Sequence, residues 1–240
     1  MSYQNKTILI TGAYRGIGAS IANYFGKCQA NLILTYHAHP VETNKLKEEL
    51  VSKYHISVDC VYLDLCQEES IVNVYNYVKD KYKNLDILIN NAALSLDNDI
   101  MNKTKEEFMK VLEVNLVGTF LTTKYMLKIM KKGDIINISS LDSTKSFNNY
   151  SVDYIASKAG VNSLVKTMSL DYKDIRFISI LLPFVDTSSI REMNEELLKE
   201  EMNKYNQKRL MTVSEVSNKI ITIINDKTIK SGSIIEVEDF

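Results

Sequence analysis

The sequence predicts a doubly wound α/β fold, with a mostly parallel seven-stranded sheet and helices on both faces. Short apolar runs rich in β-branched residues alternate with helical patterns from one end of the chain to the other, which is typical of such sheets. The runs are continuously apolar, as expected for parallel strands that are buried on both faces. No linker, repeat or low-complexity tract interrupts the alternation, so we expect one domain spanning 1–240.

Seven runs are predicted as strands, and they occupy residues 7–11, 31–36, 57–65, 85–91, 134–140, 175–182 and 233–237. Helical stretches lie between them. Two of these open with the spacing of a capping box, Thr104 to Glu107 and Thr212 to Glu215. One further helical stretch, 188–209, does not fit the alternation because it follows a strand end directly. It is charged and carries methionines, and it is interpreted either as a lid over a site or as a solvated surface helix.

The composition argues against several classes of protein. The 240 residues include 29 Lys and Arg against 30 Asp and Glu, a net charge of -1. A nucleic-acid binder would carry a basic surplus. No apolar run approaches the roughly 20 residues of a membrane span, and the N-terminus lacks the pattern of a signal peptide. We therefore expect a cytoplasmic protein that binds neither nucleic acid nor membrane.

Neither the cysteines nor the histidines predict a reactive or metal-binding site. Cys28, Cys60 and Cys66 form no CxxC pair, and no histidine is placed to activate them. His37 and His39 form an isolated pair without a third ligand in view. No bound metal is expected.

A glycine-rich loop joins the first predicted strand to the first helix. Gly12, Gly16 and Gly18 stand in the stretch TILITGAYRGIGASIANYF. Glycines let the backbone turn sharply after the strand and let a pyrophosphate approach the N-terminus of the helix, whose free N–H groups and dipole bind it. The position between strand and helix supports this interpretation, so we predict a dinucleotide-binding loop that includes Ile17.

The residues around this loop indicate which dinucleotide binds. NAD sites usually place an acidic residue at the end of the second strand, where it binds the ribose 2′-hydroxyl. Here that end carries Tyr36 and His37 and no carboxylate. Arg15, inside the glycine loop, has the guanidinium geometry that suits a 2′-phosphate. NADP(H) is therefore the preferred cofactor, and NAD(H) stays open.

The stretch NNYSVDYIASKAG contains two tyrosines and a lysine at helical spacing. Tyrosine has an ordinary pKa of about 10, and a nearby cation lowers it. Tyr154 and Lys158 are one helical turn apart on a shared face, about 6 Å along the axis, whereas Tyr150 lies about 12 Å from the lysine. The spacing therefore favours Tyr154 as an acid–base group.

A pair of serines ends the strand just upstream of this helix. Ser139 and Ser140 close the run INISS, and doubly wound sheets bind their ligands at the carboxyl ends of strands. Since successive strand residues point to opposite faces, we expect one of the two serines to face the cleft.

These motifs together resemble the short-chain dehydrogenase/reductases, in the compact single-domain branch that includes reductases of 3-oxoacyl groups on carrier protein. The TGxxxGxG loop and the serine followed by Tyr154-x-x-x-Lys158 carry the resemblance. It implies a Rossmann fold, and it selects Ser140 over Ser139 because Ser140 keeps the interval to the tyrosine closer to the family's usual one. It also implies that Asn115 is catalytic and holds a water linked to Lys158. Without such a role, Asn115 would be a local defect in an apolar helix.

The remaining cofactor contacts follow from the same resemblance. The residues it assigns are Asp64 and Leu65 beside the adenine, Asn90 and Ala92 at the adenosine ribose, Pro183, Val185 and Thr187 at the nicotinamide, and Tyr154 and Lys158 close to the nicotinamide and its ribose. The chain departs from the family where Ala93 and Phe184 replace glycines. Neither change removes a reacting group.

The resemblance implies hydride transfer between NADP(H) and a carbonyl or secondary alcohol. Tyr154 would be the general acid and base, and Ser140 would bind the substrate oxygen. The substrate would be a 3-oxoacyl thioester on an acyl carrier, a small ketone or a sugar, and the protein would form a homodimer or homotetramer. The alternative is a non-catalytic dinucleotide-binding sensor or regulator on the same fold.

Overall fold

The computed structural model describes residues 2–145 and 148–237, and within them it contains a single sheet of seven parallel strands. The strands are β1 (Thr7–Ile10), β2 (Asn31–Tyr36), β3 (Val58–Tyr62), β4 (Ile87–Asn90), β5 (Gly133–Ser140), β6 (Ile175–Leu182) and β7 (Ser233–Glu236). Their order is β3-β2-β1-β4-β5-β6-β7, so the direction of winding reverses between β1 and β4. The predicted fold is confirmed. The third strand is shorter than predicted, and residues 63–65 already belong to the turn that leaves the sheet.

Helices fill the connections between the strands. They are α1 (Gly16–Lys27), α2 (Pro40–Tyr54), α3 (Glu68–Tyr82), α4 (Lys105–Leu112), α5 (Thr119–Met126), α6 (Val152–Met168), α7 (Ser188–Arg191), α8 (Glu195–Lys204) and α9 (Val213–Asn225). A π-helical turn, Glu113–Gly118, joins α4 to α5, and a 3₁₀ turn, Leu141–Ser143, follows β5. Both predicted capping boxes are confirmed, at the starts of α4 and α9.

The apolar strands form two cores, one on each face of the sheet. Successive strand residues point to opposite faces, so Ile8 and Ile10 belong to one core and Leu9 to the other. The first core is covered by α1, α2 and α9, and the second by α3, α5 and α6. The helix residues that show this are Phe25, Leu46 and Ile220 in the first core, and Val74, Met126 and Val165 in the second.

The stretch 188–209 forms two helices, α7 and α8, where the sequence predicted one. Asn194 separates them, because its side chain accepts hydrogen bonds from the backbone N–H groups of Glu196 and Leu197 and so starts a new helix. In the described part of the chain, no helix combines the length and the apolar character needed to cross a membrane.

Candidate active site

The glycine loop connects β1 to α1 at the carboxyl edge of the sheet. Gly12 and Gly16 adopt φ angles of 62° and 56°, a left-handed conformation that glycine takes without strain. Gly18 is packed so closely that an added Cβ would lie 2.8 Å from the carbonyl oxygen of Gly12. The Asn91 side chain donates hydrogen bonds of 2.9 Å to the carbonyls of Thr11 and Gly12. The loop is therefore held in one shape beside the N-terminus of α1, as a pyrophosphate cradle requires.

A cavity of about 860 Å³ lies beside this loop. Most of the residues predicted to bind the cofactor line it, namely Gly12, Arg15, Gly16, Ile17, Gly18, Tyr36, His37, Asp64, Leu65, Ala92 and Thr187. The cavity opens where the winding of the sheet reverses, which is where doubly wound folds bind nucleotides. Its position, its size and its glycine cradle fit a dinucleotide.

Cationic and aromatic side chains form the wall of this cavity near the end of β2. Arg15 is exposed, and its guanidinium lies 5.0 Å from the ring centre of Tyr14. Tyr14 stacks on His39, with 4.2 Å between the ring centres. His37 Nε2 lies 3.8 Å from Oδ2 of Asp64, which comes from the segment after β3. The wall thus combines the predicted Arg15 and His37 with two residues, Tyr14 and His39, that were not predicted to bind cofactor.

A second cavity, of about 310 Å³, adjoins the first and shares Ile17 and Thr187 with it. The predicted residues that line it are Ile17, Ser140, Tyr154, Lys158, Pro183, Val185 and Thr187. Tyr150 lies on its wall as well, and it is 42% exposed. The residues predicted for the nicotinamide and for the reacting groups are therefore gathered in one place.

Tyr154 and Lys158 lie on the same face of α6, as their spacing predicted. Lys158 Nζ is 5.5 Å from the centre of the Tyr154 ring and donates a hydrogen bond of 2.8 Å to the carbonyl of Ile138. Burial lowers the pKa of Lys158 to about 8. Burial also raises the pKa of Tyr154, and the carboxylates of Asp142 and Asp97 raise it further. The tyrosine is thus held as a neutral phenol, which can donate a proton.

Ser140 and Ser139 have different partners, although both line the second cavity. The Ser140 hydroxyl lies beside Tyr154, and its proximity opposes the rise in the pKa of Tyr154. The Ser139 hydroxyl instead donates to the backbone carbonyl of Lys158 at 3.5 Å. The structure thus brings Ser140, the serine preferred on the resemblance, to the tyrosine.

Asp142 was not predicted, and it lies directly beside the serine. Ser140 Oγ donates to Oδ2 of Asp142 at 3.0 Å and accepts from its backbone N–H at 3.2 Å. The hydroxyl of Tyr205, just after α8, donates to Oδ1. Burial raises the pKa of the Asp142 carboxyl. A chain of hydrogen bonds therefore runs from the segment after α8 to the serine.

Asn115 is buried in the π-helical turn and holds the chain that follows β4. Its Oδ1 accepts from the Leu94 N–H at 2.8 Å, and its Nδ2 donates to the Leu94 carbonyl at 2.8 Å and to Ser157 Oγ at 3.1 Å. Ser157 lies on α6, between the tyrosine and the lysine. Gly118, which also has a low helix propensity, lies in the same turn. Close packing requires a glycine there, because a Cβ would lie 2.7 Å from the carbonyl oxygen of Leu65.

Asn90 differs from the other predicted cofactor residues, because its side chain lines neither cavity. Its Nδ2 donates to Thr123 Oγ1 at 3.1 Å and to Asn137 Oδ1 at 2.9 Å. The alternation of β4 explains this, since Asn90 points to the same face as Leu88, toward α5. Asn91, one residue further, reaches the glycine loop instead.

A buried ion pair holds the loop after β4 against α6. Lys103 Nζ lies 2.9 Å from Oδ2 of Asp153, and the two side chains are 3% and 0% exposed. Asp153 Oδ1 accepts from the Tyr154 N–H, and Lys103 also donates to the Leu96 carbonyl. The backbone at the tyrosine is thus tied to the loop that forms one wall of the second cavity.

Comparison with known proteins places this geometry in a family. The profile of the short chain dehydrogenases matches residues 6–198. The chain is 28% identical over 240 residues to a 3-oxoacyl-[acyl-carrier-protein] reductase of Aquifex aeolicus (strain VF5), covering 98% of this chain and 96% of the relative. It is also 28% identical to glucose 1-dehydrogenase 2 of Bacillus subtilis (strain 168), covering 92% and 88%.

A solved structure has the same fold. A short chain dehydrogenase from Burkholderia cenocepacia J2315, in complex with NADP, superposes with a TM-score of 0.91 at 19% identity, covering 99% of this chain and 98% of that one. The family profile covers most of the chain, and the two relatives match it over nearly its full length. The chain therefore belongs to the short chain dehydrogenase family of oxidoreductases, which act on CH–OH and carbonyl groups with NAD(P).

Proposed function

We propose that this protein is an NADP(H)-dependent oxidoreductase that interconverts a carbonyl and a secondary alcohol, with Tyr154 as its proton donor and acceptor. One observation carries the proposal. A neutral, partly buried tyrosine lies beside Ser140 and above Lys158, in a cavity that adjoins the glycine-loop cavity. An acid, an oxygen-binding hydroxyl and a cation are the groups that carbonyl reduction needs.

Each group has a distinct role in the proposed reaction. Ser140 donates a hydrogen bond to the substrate oxygen, where negative charge develops. Tyr154 gives that oxygen its proton during reduction and removes it during oxidation. Lys158 supplies positive charge below the tyrosine and contacts the nicotinamide ribose. The bound nicotinamide supplies or accepts the hydride.

Asn115 has a positioning role in this proposal. Both donor hydrogens of its amide are engaged, one by Leu94 and one by Ser157. It therefore fixes the chain after β4 against α6, and its side chain offers no further donor to the water assigned to it by the resemblance. We propose that Asn115 acts by holding the site together.

Replacement of the two tyrosines tests the assignment. Tyr154→Phe removes the transferable proton, and we expect it to lower kcat with NADPH and a ketone by at least about a thousandfold, while NADPH still binds. Tyr150→Phe is the matched control, because Tyr150 lines the same cavity and is half exposed. Retained turnover in Tyr154→Phe would refute the assignment. NADPH binding without turnover of any ketone or alcohol in a broad panel would favour the sensor instead.

The preference for NADP(H) rests on Arg15. Its guanidinium is exposed on the cavity wall near the end of β2, where Tyr36 and His37 stand in place of a carboxylate. The NADP bound to the Burkholderia protein is consistent with this choice. Arg191 lines the same cavity, but Asp186 binds its guanidinium through hydrogen bonds of 2.6 and 2.8 Å.

The two arginines give a matched pair of variants. We expect Arg15→Gln to raise the Kd for NADPH about tenfold or more, because a charged hydrogen bond to phosphate is lost, and to leave the Kd for NADH nearly unchanged. Arg191→Gln should change the ratio of the Kd for NADPH to the Kd for NADH less than Arg15→Gln does. An equal rise in the Kd for NADPH and in the Kd for NADH in Arg15→Gln would contradict a contact between Arg15 and the 2′-phosphate.

We also propose that 188–209 covers the substrate cavity. Ser189, Ile190, Leu197 and Tyr205 line that cavity, which supports a covering role over a purely solvated helix. Hydrogen–deuterium exchange with and without NADPH tests this, since α7 and α8 should become more protected when a ligand fills the cavity. Unchanged exchange in this segment, with protection elsewhere in the site, would contradict a cover.

We infer in addition a homodimer or homotetramer. Met109, Val117 and Phe120 are 44%, 45% and 37% exposed along α4, the π-helical turn and α5, and a contact between subunits would cover such exposed apolar side chains. Light scattering coupled to size exclusion tests the assembly. A 27.4 kDa species at micromolar concentration would refute it.

A further inference from the structure

Asp142 places a carboxylate within one hydrogen bond of the serine that binds the substrate oxygen. Ser140 Oγ lies 3.0 Å from Oδ2, and the hydroxyl of Tyr205 donates to Oδ1. Asp142 lines the substrate cavity and is partly buried. An ionised carboxylate only accepts hydrogen bonds, so each of its oxygens needs a donor when water is excluded.

The serine cannot serve both Asp142 and the substrate. Its hydroxyl has a single hydrogen, and that hydrogen is donated to Oδ2 of Asp142, while the serine oxygen accepts from the Asp142 N–H. The proposed reaction requires Ser140 to donate to the substrate oxygen instead. Oδ2 of Asp142 then loses its donor at the moment the substrate is bound.

Among the side chains that the structure describes around Asp142, none is a cation that could donate to Oδ2 in place of Ser140. The carboxylates of Glu201 on α8 and Asp97 on the loop after β4 line the same cavity and raise the pKa of Asp142. Lys158 lines it too, but its ammonium donates to the Ile138 carbonyl below the tyrosine. Tyr205 is engaged at the other oxygen of Asp142. A substrate that binds between Ser140 and Asp142 can supply the donor.

We infer that the substrate is an α-hydroxy ketone, whose hydroxyl donates to Asp142 while its carbonyl oxygen rests on Ser140 and Tyr154. The inference rests on the proposed function and names its substrate class. A hydroxyl on the adjacent carbon can reach Asp142 because Ser140 and Asp142 are themselves within one hydrogen bond. A hydroxyl is favoured over an ammonium because both donors to this carboxylate in the structure are hydroxyls, those of Ser140 and Tyr205.

The reaction balances without any further reactant. The carbonyl carbon receives the hydride with its two electrons from the reduced nicotinamide, its oxygen receives the proton of Tyr154, and the C=O double bond becomes a single bond. The product is a vicinal diol, and the hydroxyl beside Asp142 is unchanged. A simple ketone or a 3-oxoacyl thioester lacks that hydroxyl and leaves Oδ2 of Asp142 without a donor. Enzyme sites that hydrogen-bond a substrate hydroxyl discriminate strongly against analogues that lack it.

Two ketones of nearly equal size test the inference on the full chain with NADPH. They are 2-hydroxyacetophenone and propiophenone, in which a methyl group replaces the hydroxyl. We expect kcat/KM for the hydroxy ketone to exceed that for propiophenone at least about tenfold, the effect of one hydrogen bond to a charged group. Equal values, or a preference for propiophenone, would overturn the inference and leave the oxidoreductase assignment standing.

Variants assign the preference to Asp142. In Asp142→Ala the ratio of the two kcat/KM values should fall toward one. In Asp142→Asn, which keeps one acceptor oxygen without the charge, the ratio should lie between the values of the wild type and Asp142→Ala. Asp97→Asn is the matched control, because Asp97 lines the same cavity but accepts from Ser95 and Ser151. A ratio that survives in Asp142→Ala, or that falls equally in Asp97→Asn, would refute the role of Asp142.

Binding of the products gives a readout that needs no turnover. With NADP present, 1-phenyl-1,2-ethanediol should raise the melting temperature of the wild type more than 1-phenyl-1-propanol, and this difference should vanish in Asp142→Ala. Equal shifts in the wild type would overturn the inference. A tenfold preference for 2-aminoacetophenone over the hydroxy ketone would also overturn it, in favour of a cationic substrate. Loss of turnover alone, with the diol still preferred in binding, would count against the proposed reaction and for this subsite.

Discussion

Replacement of Asn115 by leucine should destabilise the protein by removing the link between the loop after β4 and α6. The leucine has a similar size, so the packing volume is nearly kept while three hydrogen bonds of 2.8, 2.8 and 3.1 Å are lost. Two of these satisfy the backbone N–H and carbonyl of Leu94, and the third reaches Ser157. At about 1 kcal/mol for each bond, the free energy of unfolding should fall by about 3 kcal/mol.

Thermal unfolding followed by circular dichroism measures this change. In a chain of this size, 1 kcal/mol corresponds to a shift of roughly 2–4 °C in Tm, so Asn115→Leu should melt roughly 6–12 °C below the wild type. Asn44→Leu is the control, because Asn44 is exposed on α2 and its side chain donates to the Pro40 carbonyl one turn away on the same helix. It should change the unfolding free energy by less than about 0.5 kcal/mol.

The outcome separates two roles for Asn115. If the side chain mainly holds the site together, stability and kcat/KM should both fall in Asn115→Leu. If Tm falls by less than about 2 °C while turnover is lost, the hydrogen bonds to Leu94 and Ser157 do not carry the effect. That result would refute the positioning role and return Asn115 to the direct chemical role implied by the family resemblance.

Three further predictions follow from buried groups. Lys103→Met leaves Asp153 charged and 0% exposed, and we expect urea unfolding to show a loss of about 3–5 kcal/mol; a loss below about 1 kcal/mol would contradict the buried pair. Gly118→Ala forces a Cβ to within 2.6 Å of Leu65 Cβ, so it should cost about 1–3 kcal/mol and weaken NADPH binding. Burial lowers the pKa of Lys158 to about 8, whereas the unfolded chain titrates near 10.4. Between these two pKa values the unfolded state therefore binds more protons than the folded state, so stability rises with pH. From pH 7.5 to 10, the free energy of unfolding of the cofactor-free wild type should increase by about 2 kcal/mol relative to that of Lys158→Met. An unchanged difference would refute the lowered pKa.

The sequence was sufficient to predict the sheet and most of the cofactor cavity, because those features depend on local patterns. Continuous apolar runs identified every strand, and the glycines with their strand and helix context identified the loop. Spacing on a helix identified the Tyr154 and Lys158 pair. The placement of Asn90 was predictable in principle, since the alternation along β4 puts it on the same face as Leu88, away from the cavity.

The contact between Tyr205 and Asp142 could not be predicted, because the two residues are far apart in sequence. Tyr205 reaches Asp142 from beyond α8, and neither residue belongs to a motif. The same is true of Lys103 and Asp153, whose pairing depends on how the loop after β4 folds onto α6. Spacing also suggested that Lys158 would lower the pKa of Tyr154, whereas burial and nearby carboxylates raise it. Such effects depend on the three-dimensional arrangement of charge.

Because of the π-helical turn Glu113–Gly118, we expect homologues to keep the same number of residues in this segment as their sequences diverge. A π-helical turn holds one residue more than the α-helical path it replaces, and each α-helical residue rotates the chain by about 100°. A single deletion here would let α4 and α5 merge into a regular helix that keeps the buried face of α5, which carries Met126, on the sheet, but it would remove the wide turn that places Asn115 against Leu94 and Ser157. Insertions and deletions between homologues should therefore collect in the surface loops and be absent from these six residues.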